Sequence, residues 1–294
     1  MAVFKILLIN GLVIGAIYGL IALGYSLVYR ASGLMSFVQG DMVTIGAYLG
    51  ITFYRVLGLP FAISFVLTFA CAFGFGMLLE RGVIRVLLSR NVIPIYIVLA
   101  TIAIQYIIQN TAQAFYGSVT QRFPSVFPNK TTLTILGVTA QTEAYLALVV
   151  SIVLMILLHF FMTKTKFGTA MRGSAMDAMA AESVGINTSL STGVTWGLSA
   201  GIASLAGMLL GPMYGVYTTL GATIGRKGFA GAVVGGYGNM YGAMVGGLLL
   251  GLVETFVSGY WSGTYKNMVA YIILLLFLLV KPTGIFNESA IQDV

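Results

Sequence analysis

The chain has 294 residues, 59% of them hydrophobic and only 8% charged, with 15 Lys and Arg against 8 Asp and Glu and a net charge of +7. A soluble domain carries about 25% charged residues, and a mean hydropathy of +0.98 leaves too little polar surface to keep such a chain dispersed in water. A soluble enzyme, a nucleic-acid binder and a disordered chain are excluded. The composition implies an all-α, polytopic transmembrane helical bundle with the lipid bilayer as its solvent.

A span takes roughly 20 apolar residues to cross a ~30 Å hydrocarbon core. In chain order the candidates are Ile6–Val28, Leu34–Tyr54, Pro60–Leu79, Val92–Gln113, Glu143–Met162, Leu190–Met213, Gly221–Gly236, Tyr241–Val257 and Asn267–Val280. That gives about eight to nine spans, the uncertain one being Gly221–Gly236, which contains Arg226 and Lys227. The opening stretch MAVFKILLINGLVIG reads as the first span: its apolar run continues to Val28, too long for the core of a secretory signal, and no A-x-A site follows.

Two stretches stand outside the membrane pattern. Tyr116–Thr142, which contains RFPSVFPNKTTL, reads as an external loop. Lys164–Asn187 is the most polar segment; Ala170, Met171, Ala175, Met179 and Ala180 favour a short helix in its middle, and Gly185 with Asn187 a stop. Basic residues give the orientation. An outside N-terminus and an inside C-terminus place Arg30, Arg81, Arg85, Arg90, Lys164, Lys166, Arg172 and Lys281 inside, against Lys5, Arg55, Arg122, Lys130 and Lys266 outside. This scatter of basic residues between apolar runs is that of helix anchors, not of a phosphate-binding face.

Each half opens with a glycine-rich helix, GLVIGAIYGLIALG and then GLSAGIASLAGMLLG, followed by a segment with charges at membrane depth. With five spans before the polar segment and four after it, equivalent helices run in opposite directions, as in an inverted repeat; chance likeness among glycine-rich helices is the rival explanation. Glycines recur every four residues at Gly11, Gly15 and Gly19, at Gly207, Gly211 and Gly215, and in the pairs Gly231/Gly235, Gly242/Gly246 and Gly247/Gly251. Such ridges let helix backbones approach closely where lipid supplies no hydrophobic drive. The run GGYGNMYG at Gly235–Gly242 is too rich in glycine for a helix interior and suits a loop or a discontinuous helix.

Ser36, Gln39 and Asp41 in SFVQGDM, and Arg226 and Lys227 in IGRKGF, occupy corresponding places in the two halves. An ionisable group near the bilayer centre costs about 2.5–3.5 kcal/mol on insertion scales and persists when paired or facing water. These five are therefore candidates for the lining of a transport path at broken helices, with snorkelling at the interfaces as the alternative. Glu254 raises the same question and invites a basic partner from a neighbouring helix. His159 reads as an interfacial histidine near Lys164 and Lys166, with a proton relay as the other reading. Cys71 is the single cysteine, so no intramolecular disulfide forms, and no metal site is expected. The sequence contains no G-x-x-x-x-G-K-[ST], H-E-x-x-H or G-x-S-x-G motif, so a catalytic role is not expected and no cofactor is implied.

Four blocks in order carry a resemblance: GLVIGAIYGLIALGYSLVYRASGLMSFVQGDMVTIGAY (Gly11–Tyr48), TKFGTAMRGSAMDAMAAESVGIN (Thr165–Asn187), GFAGAVVGGYGNMYGAMVGGLLLGLVE (Gly228–Glu254) and KPTGIF (Lys281–Phe286). Nearly end to end, the chain resembles the membrane permeases of branched-chain amino acid ABC importers, the LivH-type subunit. It departs from that pattern at Ser36, where Asn is usual, at Asp41, where Glu is usual, and at Lys281, where Arg is usual. The resemblance implies a single permease domain over residues 1–294 in the bacterial plasma (inner) membrane, working with a second related permease (or a second copy of itself), two ATP-binding subunits and an extracytoplasmic substrate-binding protein. It implies that Lys164–Asn187 is the segment presented to the ATPase, with Gly168, Arg172, Ala175, Asp177, Ala181 and Gly185 as its key positions. Relatives that move urea or short-chain amides are the nearest rival. A secondary amino acid transporter would need a coupling-ion site, for which only Asp41 and Glu254 are available, and a channel would need no docking segment.

Overall fold

Long apolar runs become helices here because a helix satisfies its own backbone, the only open-ended way to cross a lipid layer. The computed structural model describes residues 2–90, 92–127, 131–135 and 138–286. The first half contains α1 (Ala2–Ser32), α2 (Val38–Ile51), α3 (Phe61–Leu79), α4 (Arg85–Ser89), α5 (Pro94–Tyr116) and α6 (Thr142–Lys164). Between α6 and the second half lie α7 (Lys166–Met176) and α8 (Ala178–Ser183), followed by α9 (Thr188–Tyr214), α10 (Leu220–Gly235), α11 (Met240–Tyr260) and α12 (Lys266–Val280). Each of the nine expected stretches is a helix. Among the described residues six helices are long and apolar enough to cross a membrane, while α2, α10 and α12 are shorter, at 14, 16 and 15 residues. A five-residue π-helical turn, Thr52–Val56, lengthens α2, and another, Glu80–Ile84, joins α3 to α4.

The Tyr116–Thr142 stretch contains more than loop. Thr132–Ile135 (β1) pairs antiparallel with Val138–Gln141 (β2), in the register Thr132 to Gln141 and Ile135 to Val138. Lys130, counted among the outside basic residues, lies outside the described residues.

Glycine sets the packing. α1 and α11 run antiparallel: Gly11, Gly15 and Gly19 face Leu252, Leu248 and Met244, and a Cβ on Gly15 would stand 2.8 Å from the Leu248 carbonyl oxygen. α9 lies on α3 in the same manner, and a Cβ on Gly76 would stand 2.7 Å from the Trp196 carbonyl oxygen. The first helix of each half thus packs on the third helix of the other half. The short second helices of the two halves meet where Gly40 crosses Gly221 and Gly225, and the Gly221 amide donates to Thr44 Oγ1 at 2.8 Å.

GGYGNMYG is a reversal between two helices, as its glycines indicated. α10 stops at Gly235, Gly236 and Gly238 take φ of +116° and +94°, and α11 starts at Met240 with Asn239 Oδ1 accepting from the Gly242 amide at 2.9 Å. The segment after α12 returns to this turn. Ile285 and Phe286 donate their amides to the carbonyls of Val234 and Gly235, each at 3.0 Å, so KPTGIF satisfies carbonyls that the end of α10 leaves open.

Helix direction gathers the basic residues assigned to the inside at one end. Arg30 closes α1, Arg81 and Arg85 lie at the junction of α3 and α4, Lys164 closes α6, Lys166 and Arg172 are on α7, and Lys281 follows α12. This basic end also holds α7 and α8, while the β-hairpin lies at the opposite end.

Candidate functional site

The gap between α1 and α2 (residues 33–37) and the gap between α9 and α10 (215–219) break the helices at matching points of the two halves. Polar side chains concentrate around them. Ser36 is buried with no hydrogen-bond partner for its hydroxyl among the described residues. Gln39 Nε2 donates to the Ser199 carbonyl at 2.9 Å, and Ser199 Oγ donates to the Gly24 carbonyl at 2.7 Å, locking α2, α9 and α1 together. Asp41 is fully buried; Oδ1 accepts from Gln109 Nε2 on α5 at 3.0 Å, whereas Oδ2 has no hydrogen-bond partner among the described residues. Arg226 is exposed and follows Gly225, whose would-be Cβ would overlap Cα of Gly40, the residue before Asp41. Ser36, Gln39, Asp41 and Arg226 therefore belong to one region, the crossing of α2 with α10.

Lys227 does not join them. Adjacent positions on a helix point about 100° apart, and Lys227 turns to the other side of α10. There its Nζ meets Glu254 Oε1 of α11 at 2.5 Å, while Tyr18 of α1 donates to Glu254 Oε2 at 3.0 Å. All three are at least 96% buried by surface, and Lys227 Nζ stands 5.7 Å from the centre of the Tyr18 ring. The basic partner expected for Glu254 is thus Lys227, on the preceding helix. Tyr18 and Gln109 gave no signal in the sequence, since Tyr18 is one of three tyrosines in α1 and Gln109 one of three glutamines in α5.

This triad closes the buried end of a cavity of about 550 Å³. Lys266, Asn267, Gln141 and Ser258 are among its lining residues, and all four lie at helix ends remote from α7 and α8. The cavity opens away from the end that holds α7 and α8. Toward the end that holds α7 and α8, aromatic rings fill the bundle: Phe229 lies 5.6 Å from Tyr25, 5.7 Å from Phe37 and 5.5 Å from Tyr237, and Tyr237 lies 4.7 Å from Tyr29.

The polar segment is two helices, not one. Asp177, at φ −152°, breaks it and caps the second helix by accepting from the Ala180 amide at 2.9 Å. Gly185 takes φ +86°, as a stop requires, and Asn187 caps α9 by accepting from the Leu190 amide at 2.9 Å. Gly168 is buried where α7 folds back on α6, and a Cβ there would stand 2.6 Å from Met162 Cα. Ala181 is buried, Ala175 half-buried, and Met176, Met179 and Val184 are among the exposed large apolar side chains, at 66%, 83% and 76%. Arg172 is half-buried, with its Nε unpartnered among the described residues. His159 contacts the Tyr241 hydroxyl through Nδ1 at 2.9 Å near the end of α6 that leads into α7.

Spanning helices broken at matching points, charges held inside the bundle and a cavity open at one end define a membrane transport protein. The family model "Branched-chain amino acid transport system / permease component" matches residues 7–278, and the chain belongs to that family, a family of multi-pass inner-membrane proteins. It is 34% identical over 198 residues to the high-affinity branched-chain amino acid transport system permease protein BraD of Pseudomonas aeruginosa, with 62% of each chain covered. It is 32% identical over 190 residues to the corresponding protein LivH of Escherichia coli K12, with 61% of each covered. The matched region is thus about three-fifths of these relatives' length. Among solved structures, a chain of PsaBC from Streptococcus pneumoniae in complex with Fab superposes with a TM-score of 0.48 at 14% identity, covering 93% of this chain and 91% of that one.

Proposed function

We propose that this chain is the membrane-spanning permease subunit of an ATP-driven importer of branched-chain amino acids. In this reading a soluble protein delivers the substrate at the cavity end, a second permease completes the membrane core, and two separate subunits hydrolyse ATP at the end that holds α7 and α8, which couples them to the permease. The polar residues at the α2–α10 crossing belong to the path.

The observation that carries this reading is the α7–α8 pair. It is short, seated on α6 through Gly168, and presents Met176, Met179 and Val184 to solvent outside the spanning helices. Exposed apolar side chains on an otherwise polar segment mark a protein contact. A rigid element continuous with α6 on one side and α9 on the other transmits a push from that contact to both halves. Amino acids are favoured over urea and amides because the cavity ends in a fixed cation and a fixed anion, which an uncharged solute does not need.

Leucine uptake and leucine-stimulated ATP hydrolysis, measured with the chain reconstituted alongside the subunits that co-purify with it, test the reading. Met179→Lys and Gly168→Val are expected to abolish uptake and to sever its link to hydrolysis, the former with the thermal stability unchanged. Full uptake in both variants, or co-purification with no ATP-binding subunit, would refute it.

A further inference from the structure

The Lys227–Glu254–Tyr18 triad sits in the cavity, yet a buried ion pair needs no cavity for its stability, and well-packed apolar side chains commonly serve as well or better. Charge and shape at this place say more. Lys227 and Lys266 oppose the single carboxylate of Glu254, and Lys266 has no hydrogen-bond or ion-pair partner among the described residues. The side wall is aliphatic, from Val13, Ile14, Met213 and Ile224. The volume of about 550 Å³ lies within the range of small-molecule sites.

From this arrangement we infer that the cavity is a low-affinity binding site for the zwitterion of an aliphatic α-amino acid, the Lys227–Glu254 pair opening to receive it. Lys266 draws the carboxylate to the mouth. At the buried end the substrate carboxylate takes Lys227 and the Tyr18 hydroxyl, while its ammonium takes Glu254. The exchange leaves two cations facing two anions where one of each stood, so the site gains no net charge and neither protein group is left unpaired. The aliphatic side chain lies on the apolar wall. A simple carboxylate would leave Glu254 without its cation, and a simple amine would leave Lys227 without its anion. Because the internal pair competes with the ligand, binding is weak, as transport demands: favourable enough to enter, weak enough to leave.

The inference rests on the amino acid reading above but can fail separately from it. In the Cys71→Ser background a cysteine replacing Ser258, which lines the cavity, reports occupancy through its rate of modification by a hydrophilic maleimide, with the full chain in lipid nanodiscs. L-Leucine should slow modification with half-protection at about 1–10 mM, while 4-methylpentanoate, isoamylamine and urea should leave the rate unchanged. The Lys227→Gln/Glu254→Gln double variant should raise the half-protection concentration about tenfold or more. Lys266→Gln, which leaves the buried pair intact, should raise it severalfold, and Lys266→Glu further. Equal protection in the double variant and in both Lys266 variants, or protection by either single-charge analogue, would overturn the site. Should the double variant not remain monodisperse, the Lys266 pair of variants decides alone. Leucine uptake by the reconstituted assembly with no protection at Ser258→Cys would overturn the site and leave the permease reading standing. Protection by urea and not by leucine would overturn both.

Discussion

α6 and α9 are both spanning helices, and they invert the rule learned from soluble proteins. α6 has the higher mean hydropathy, yet only 28% of its apolar window is buried, against 89% for α9. α6 turns Ile152, Val153, Leu157 and Phe160 outward. α9 carries Gly, Ser or Ala at twelve of its 27 positions, and its backbone touches α2, α3 and α1. Where the solvent is itself apolar, large hydrophobic side chains gain nothing by leaving it; small residues go inside because close backbone contact is what holds the helices together.

The contrast is broken most sharply by adding bulk to the inner layer. A Cβ on Gly207 would overlap the Val43 carbonyl oxygen, so Gly207→Val is expected to cost more than about 3 kcal/mol and to yield no monodisperse protein on size exclusion. Gly74, also in a spanning helix, has nothing within 4 Å of its would-be Cβ, and Gly74→Val should purify as the parent does.

The next largest effect belongs to charge. Glu254→Ala leaves Lys227 buried and unpaired, at a cost of about 3–5 kcal/mol, read as a large drop in the thermal midpoint in detergent. The double variant Lys227→Met/Glu254→Leu should recover most of that loss, as apolar replacements of buried pairs commonly do, while losing leucine protection.

Asp41→Asn should be milder. Asn keeps an acceptor for Gln109, so stability is expected to change by no more than about 1 kcal/mol while uptake falls. A stability loss of several-fold that size with uptake intact would make Asp41 a packing residue. Smallest of all, Leu157→Ala exchanges one lipid-facing apolar group for another, and should stay within about 0.5 kcal/mol. A loss of the size seen on truncating a soluble core would overturn the account of the outer layer.

The span positions, the glycine contacts and the GGYGNMYG turn were legible because each is a local pattern written in consecutive residues. The β-hairpin was not, although TTLTI and VTAQ are Thr- and β-branched-rich runs; four-residue strands beside two prolines carry little periodic signal. The break at Asp177 was masked by a run of good helix formers, and only its role as a cap explains it. The separation of Arg226 from Lys227 follows from helical geometry alone and could have been drawn from the sequence. Tyr18 could not, because its partner Glu254 is 236 residues away and one tyrosine of three in a glycine-rich helix carries no mark of what it will touch.

The strap formed by Ile285 and Phe286 bears on the order in which the molecule is made. α10 leaves the ribosome before α11 and α12, but the carbonyls of Val234 and Gly235 wait for amides that are synthesised after both. The second half therefore cannot be finished from its N-terminal side onward; the end of α10 stays open until the chain has crossed back twice and its tail returns. A stop codon anywhere between the codons for Gly235 and Ile285 removes the strap from the reversal that joins α10 to α11, however many helices have already been threaded into the bilayer.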